Sequence, residues 1–374
     1  MDNQVNLSES SIYLSVRPEE DVLADLISDH TRTYLDIVFY VVLQGVVTVF
    51  GCAFNVLNIV VFVKQGFKET VNISFLGLAI SDLGALVTLL WMSICYTPEF
   101  RFSDIPFESL DVQHLTACWP HGCFARITSL ITAFITLERC LCITLPLKVK
   151  EIITAKRTIV VNVFIFLLMF CILSPAFYAD RFGPVSVSKR NKTLIGLVFV
   201  ENGQFIESIC KTMDVSVQLI AFVVVSFSTG ILIQNLLRNT KWRMSMSKSS
   251  TSGSGQDMGN RDKKVVRMVT SISCMFIICF LPTVVNYIVM FIFPSYSVKG
   301  RYSNTFRFVW AVLKILEAVH SSATIFIYFN MSTKYRAVLR EVVCVFRQQP
   351  ADAARKSTTE TSRNKDITSE TLCP

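Results

Sequence analysis

The fold class predicted by the sequence is an all-α membrane protein: a bundle of seven transmembrane helices followed by a short amphipathic eighth. Three observations lead there. Of 374 residues, 52% are hydrophobic and only 17% charged, whereas roughly a quarter of an average soluble chain is charged. Seven separate runs are long and apolar enough to cross lipid. Lys and Arg gather on alternate connections between those runs. The low charge and high hydrophobicity also exclude an intrinsically disordered chain. Twelve Cys contain no repeated CxxC pair, which argues against a zinc module, and they are too dilute for a disulfide scaffold.

The spans follow from bilayer thickness. A hydrocarbon core of about 30 Å needs about 20 apolar residues per helix. Seven runs meet this: Leu35–Val63, Ile73–Cys95, Cys123–Leu145, Ile159–Tyr178, Val215–Leu237, Val265–Phe293 and Phe306–Phe329. Buried helices of a large soluble protein would give apolar runs nearer 10 to 14 residues. No internal repeat or inverted half is visible, which disfavours a transporter. A channel would need a continuous polar pore stripe, whereas the charges here cluster at helix ends and on the seventh run.

Orientation follows from the basic residues. With the amino terminus outside, 22 Lys and Arg fall on inner segments and 11 on outer ones. The excess marks the cytoplasmic side. Topology therefore accounts for the formal net charge of +8, and no nucleic-acid partner is implied. The expected organisation is an acidic extracellular amino terminus (1–34) without a cleavable signal, the seven-helix domain (35–330), an amphipathic helix (331–347) and a disordered cytoplasmic tail (348–374) in a multi-pass plasma-membrane protein. Asn6 and Asn191 open glycosylation sequons on the outer side; the sequons at Asn72 and Asn330 fall inside. Met244–Asn260 reads as a flexible, low-complexity inner loop.

Polar groups inside a span are costly, about 2.5–3.5 kcal/mol for a central charge, so each one points to function. The first run holds Asn55 and Asn58, and the second has Asp82 in LAISD. The third closes on Leu137-Glu138-Arg139-Cys140, and the sixth carries Phe276-x-x-Cys279-Phe280-Leu281-Pro282. The seventh ends Ser321-Ser322-Ala323-Thr324-Ile325-Phe326-Ile327-Tyr328, with a basic amphipathic stretch beyond it. This set, in this order, resembles the rhodopsin-like (class A) G-protein-coupled receptors from about Leu35 to Phe346. LNIVVFVKQGFKETVNISFLGLAISDL and ITLERCLCITLPLKVK look closest to gastropod chemosensory receptors and invertebrate (FMRFamide-like) neuropeptide receptors.

The resemblance implies a receptor that is not an enzyme. It binds an extracellular small molecule or peptide among its outer helix halves and activates a heterotrimeric G protein, as a chemosensory receptor or alternatively a neuropeptide receptor. Its partners would include a receptor kinase and arrestin acting on Ser and Thr between Ser357 and Thr371, and membrane lipid. Residue by residue, Asn55 looks like the family's helix-one Asn and Asp82 like its buried sodium-binding Asp, with Thr128, His320 and Ser321 beside it. His320 could instead supply the positive charge. No other metal or cofactor is implied. Arg139, locked by Glu138, looks like the arginine freed on activation. Phe276 opens the helix-six motif, Phe280 takes its aromatic switch position, and Pro282 supplies its kink. Tyr328 matches the end of the NPxxY motif, although Thr324-Ile325 replaces Asn-Pro. Cys140 replaces the usual Tyr, helix five lacks its Pro and Tyr, and helix four its Trp.

Two ligand classes are disfavoured on the same basis. His121 stands at the aminergic Asp position, and Ala318 at the retinal Lys position of opsins. What remains is a one-face stripe on the seventh run: Lys314, Glu317, Ser321, Thr324 and Tyr328. Lys314 and Glu317 are either an internal pair or a charged pocket floor for a zwitterionic or peptide ligand. Arg126, about 140° around its helix from His121, is expected to bond helix four or five. Phe280 and His121 complete the candidate ligand contacts. The family's outer disulfide falls on Cys118–Cys210, with Cys123 or Cys95 as rivals. Cys344 is a palmitoylation candidate or an ordinary buried apolar residue.

Overall fold

A computed structural model describes residues 25–101, 103–145, 153–187, 192–246 and 256–344. Seven helices are long and apolar enough to span a bilayer: α1 (Asp29–Gln65), α2 (Thr70–Tyr96), α3 (Ser109–Thr144), α4 (Ala155–Ala179), α5 (Gly203–Met246), α6 (Gln256–Ile292) and α7 (Ser303–Met331). After a break at Ser332, residues 333–344 are helical again and form α8. All seven expected spans are present, and most run longer than the apolar stretches that announced them.

Local chemistry sets several ends. Ser28 Oγ accepts a hydrogen bond from the Thr31 amide at 3.2 Å and caps α1. Gly66 closes the same helix at φ 81°, a conformation in which a Cβ is strained. Thr154 Oγ1 accepts from the Arg157 amide at 3.4 Å to start α4. Asp25 ties the chain before α1 to the start of α7. Its Oδ2 accepts from the Asn304 amide at 2.6 Å and its Oδ1 from the Thr305 hydroxyl at 2.6 Å. Burial tends to raise the Asp25 carboxyl, but these bonds and those from the Ile27 and Thr305 amides outweigh it and hold it below the usual carboxylate range.

The interior combines an apolar core, with Leu78, Ile127 and Phe276 fully buried, with buried polar groups, while the outer faces are apolar. Phe227, Ile278 and Phe291 are largely exposed on the outer faces of α5 and α6, whereas Asn55, Asp82 and His320 have no exposed surface at all. A lipid-facing bundle must look this way, because hydrocarbon solvates side-chain methyls but no hydrogen-bonding group.

Several expectations need correction. The chain is not wholly helical: β1 (Asp180–Val187) and β2 (Lys192–Phe199) form an antiparallel hairpin between α4 and α5, with Asp180 opposite Phe199. It is pinned to the segment entering α3, where the Ile195 amide donates to the Pro106 carbonyl at 2.7 Å and the Leu197 amide to Asp111 Oδ2 at 3.0 Å. Cys118 and Cys210 are both free thiols, as are Cys95 and Cys123. Cys118 accepts from Gln113 Nε2 at 3.0 Å, while Cys210 faces the Ile172 carbonyl of α4. Cys210 lies inside α5, two turns past its start, so it cannot act as a loop cysteine reaching α3. The helices also extend into 244–246 and 256–260, parts of the segment expected as a loop. Asn6, Asn191 and the tail beyond 344 lie outside the described residues.

The α6–α7 turn sets where α7 enters the bundle. The Gly300 amide donates to the Ser297 carbonyl, and the Tyr302 amide to that of Ser295, each at 3.1 Å. A Cβ at Gly300 would sit 2.2 Å from the Ser295 carbonyl oxygen. Gly300→Ala should therefore force the turn apart at a cost of about 1–3 kcal/mol. Thermal unfolding of the purified protein in detergent should show a lower midpoint.

Candidate functional site

Three polar layers stack along the bundle axis. The first, nearest the hairpin, joins α3, α5 and α7. Arg126 of α3 is almost completely buried and ion-pairs with Asp214 of α5, Nε to Oδ1 at 3.2 Å. It also donates to Gln218 Oε1, which accepts a second bond from the Ser129 hydroxyl at 2.8 Å. Arg126 therefore bonds α5, as its position around the helix implies. Across the bundle, Glu317 Oε2 receives the Lys314 ammonium at 2.9 Å and meets His121 Nε2 at 2.7 Å. The other ring nitrogen of His121 lies 3.2 Å from the Ala85 carbonyl, which can only accept, so Nδ1 carries a hydrogen.

These two ion pairs are one electrostatic unit, since Arg126, Asp214, Lys314 and Glu317 lie within reach of one another. The unit is close to neutral but unsatisfied: Glu317 Oε1 and Gln218 Nε2 are buried without partners among the described residues. A buried acceptor and a buried donor left open in a charged set are what a polar ligand can complete. The stacked rings of Phe276 and Phe280 (centroids 4.4 Å apart) lie one layer deeper, and His320 packs edge-on against both.

The second layer is the polar core. Asp82 Oδ1 accepts from the Thr128 and Ser321 hydroxyls, each at 2.9 Å, and Thr128 also bonds Ser81 at 2.9 Å. Asn55 Nδ2 donates to the Ser321 carbonyl at 2.8 Å. One aspartate and one asparagine thereby join α1, α2, α3 and α7. Asp82 Oδ2 is buried without a partner among the described residues. A carboxylate with a free oxygen beside two hydroxyls is the hard-oxygen donor chemistry that sodium takes, so the residues fit that ion. His320 does not join them. Both of its ring nitrogens are unpartnered and it packs on the aromatic pair instead, which corrects its expected place in the sodium set.

The third layer is at the opposite end of the bundle. Arg139 Nη2 is paired with Glu138, and Thr70 of α2 closes the group: its hydroxyl donates to Glu138 Oε1 at 2.6 Å and accepts from Arg139 at 3.2 Å. Nearby, Thr136 and Ser273 share a hydrogen bond at 2.7 Å that holds α6 against α3. Tyr328 is buried against Phe62 and Phe75 (centroids 5.0 Å each) and Tyr335 (5.6 Å). The Tyr335 hydroxyl donates to Asn58 Oδ1 at 2.5 Å, which joins α8 to α1. A cavity of about 870 Å³ opens here, lined by Asn72, Lys264, Arg267, Tyr328 and Lys334 among others. Pro282 lies within an otherwise continuous α6, between the aromatic pair and the hairpin end. Cys344 is exposed at the end of α8, which leaves its thiol free to be acylated rather than buried.

Reading the sequence alone missed Asp214, Gln218 and Thr70. Asp214 and Gln218 are spaced four apart on one helix face, a visible signal, but a fifth span begun at Val215 left Asp214 outside. Thr70 preceded the second apolar run for the same reason.

Seven spanning helices, a polar core joining four of them and a closed Glu138–Arg139 pair at one mouth define the class: a seven-helix G-protein-coupled receptor. Within that class the chain belongs to the Srw family of serpentine chemoreceptors, whose description, "Serpentine type 7TM GPCR chemoreceptor Srw", matches residues 42–346. It is thus a chemosensory receptor, in a family that is not an enzyme class, and the match supports that function over a neuropeptide one. A search of curated proteins finds no match to the chain.

Arg126 can be tested directly. Arg126→Ala strands Asp214 in the bundle, and loss of one partner of a buried pair costs about 3–5 kcal/mol. Surface expression and the unfolding midpoint should both fall sharply, and the double variant Arg126→Met/Asp214→Leu should recover part of the loss.

Proposed function

We propose that this chemoreceptor sits in the plasma membrane with its amino terminus and hairpin outside, and that it senses a small, polar, zwitterionic molecule at the Arg126–Asp214 and Lys314–Glu317 pairs. The excess of Lys and Arg on the opposite side supports the orientation. The single observation that carries the ligand reading is the Glu317 Oε1 oxygen, buried without a partner inside a set of four charges. An ammonium group would satisfy that oxygen, and the ligand's anionic group would share the guanidinium of Arg126 or the ammonium of Lys314.

Ligand binding can shift the bundle only by contacting one packing better than the other. A ligand bridging α3, α5 and α7 presses on Phe276 and Phe280, which lie between it and the α3–α6 contact at Thr136 and Ser273. Movement of α6 about Pro282 then breaks that contact, separates Arg139 from Glu138 and Thr70, and opens the basic mouth to a G protein. Asp82, Thr128 and Ser321 would hold a sodium ion in the closed packing, where it would supply positive charge beside the buried carboxylate. Phosphorylation of Ser and Thr between Ser357 and Thr371 would place negative charge on the tail for arrestin, and acylation of Cys344 would anchor α8 to lipid.

Two experiments test the two halves separately. Arg139→Ala should abolish G-protein signalling in a calcium or cyclic-nucleotide reporter while surface expression persists, and Glu138→Gln should raise signalling without ligand. Unchanged responses in both would remove the lock. Glu317→Gln should weaken an active amino-acid-like ligand by roughly tenfold or more, since it discharges a charged hydrogen bond. Equal potency with poorer expression would assign Glu317 to structure alone.

A further inference from the structure

One charged group at the hairpin end takes no part in the three layers. His114 lies near the start of α3, Asp180 opens β1 directly after α4, and Glu207 is in the second turn of α5. One ligand atom from each lies within 4.8 Å of the others. His114 Nε2 is 3.7 Å from Asp180 Oδ2 and 3.5 Å from Glu207 Oε1. In a tetrahedral zinc site with bonds near 2.1 Å, neighbouring ligand atoms stand about 3.4 Å apart. The two edges that meet at His114 therefore already have about the length of such a site, and the three side chains come from three different elements.

The surroundings fit that use. Asp180 has no exposed side-chain surface, its Oδ1 has no partner among the described residues, and its Oδ2 accepts from the Trp119 indole at 3.0 Å. Burying this carboxylate with one oxygen left open is a cost that a divalent cation would offset. Cys118 lies one turn beyond His114 on the same helix. His114 is a third exposed, which provides an entry path and leaves the fourth position to water. The competing cation is Lys211, whose ammonium contacts Glu207 Oε1 at 2.6 Å, but its side chain is 57% exposed and can turn out to solvent.

We propose that His114, Asp180 and Glu207 bind a divalent ion of the zinc class and that the bound ion braces α3, the hairpin and α5 together. One imidazole with two carboxylates suits zinc better than calcium or magnesium, which take oxygen ligands in larger number. The brace spans the helices that carry the Arg126–Asp214 pair, so the ion would bias the packing around the ligand cluster.

The test is Zn²⁺ titration of the purified full-length receptor in detergent, followed by its thermal unfolding midpoint. Zn²⁺ should raise the midpoint, and Mg²⁺ and Ca²⁺ should not. His114→Gln and Glu207→Gln should each weaken the response by about tenfold or more, while His30→Gln, at a distant histidine, keeps it. Lys211→Met should lower the Zn²⁺ concentration needed, because the competing ammonium is gone. An unshifted wild type, an undiminished response in both glutamine variants, or an unchanged requirement in Lys211→Met would overturn the proposal. If the glutamine variants fold poorly, Co²⁺ bound to the wild type decides. A tetrahedral spectrum with nitrogen and oxygen ligands, displaced by Zn²⁺, supports the site; an octahedral or sulfur-ligated spectrum refutes it. These readouts need neither ligand nor G protein, so their failure is distinct from failure of the receptor mechanism.

Discussion

Hydrocarbon offers no hydrogen bonds, and the whole molecule is organised around that deficit. Backbone groups are satisfied within helices, which sets seven rods of roughly bilayer length. Side-chain polar groups must find one another, so Asn55, Asp82, Thr128 and Ser321 converge from four helices on one point. Apolar side chains cover the outer faces and also fill the interior by close packing, as Leu78, Ile127 and Phe276 do. The polar contacts therefore do the work of specifying which helix faces which.

The same constraint creates the capacity to switch. A soluble core is held by close-packed apolar surface that has one good arrangement. In this bundle α3 meets its neighbours through buried apolar side chains such as Ile127, Ile131 and Ile135 and through a few discrete polar bonds: Arg126 to Asp214, Thr136 to Ser273, and Glu138 to Arg139 and Thr70. Each is a pairwise bond that a shift of one helix against another would break, so a ligand acting on the packing would act there. The partnerless atoms Glu317 Oε1 and Asp82 Oδ2 mark where the closed packing is not fully satisfied. Both lie in layers where a bound group would contribute most.

Charges near the helix ends follow a different logic. They tie loops and strands to helices as well as one helix to another. Asp25 fastens the chain before α1 to α7, Asp111 fastens the hairpin to α3, and His114 joins Asp180 to Glu207. With Cys118 and Cys210 both free, these polar ties, the backbone bonds of Ile195 with Pro106 and Glu108, and the inward-packed Leu194 and Leu197 hold the hairpin over the bundle.

The seven spans and the Glu138–Arg139 neighbours were legible in the chain itself, because length, hydropathy and adjacent residues are local properties that one segment carries alone. The faces of Arg126 and the Lys314–Glu317 pair were legible too, since helical spacing fixes which side chains share a side. The partners were not. Asp214 and Thr70 sat beyond the apolar runs, where a charge or hydroxyl reads as the end of a helix until its partner on another helix is known. His320 adjoins Ser321 in sequence, yet a turn of 100° sends it to the aromatic pair rather than to Asp82. Which polar atoms meet, and which are left waiting, depends on how helices rotate and approach one another, and only the assembled bundle decides that.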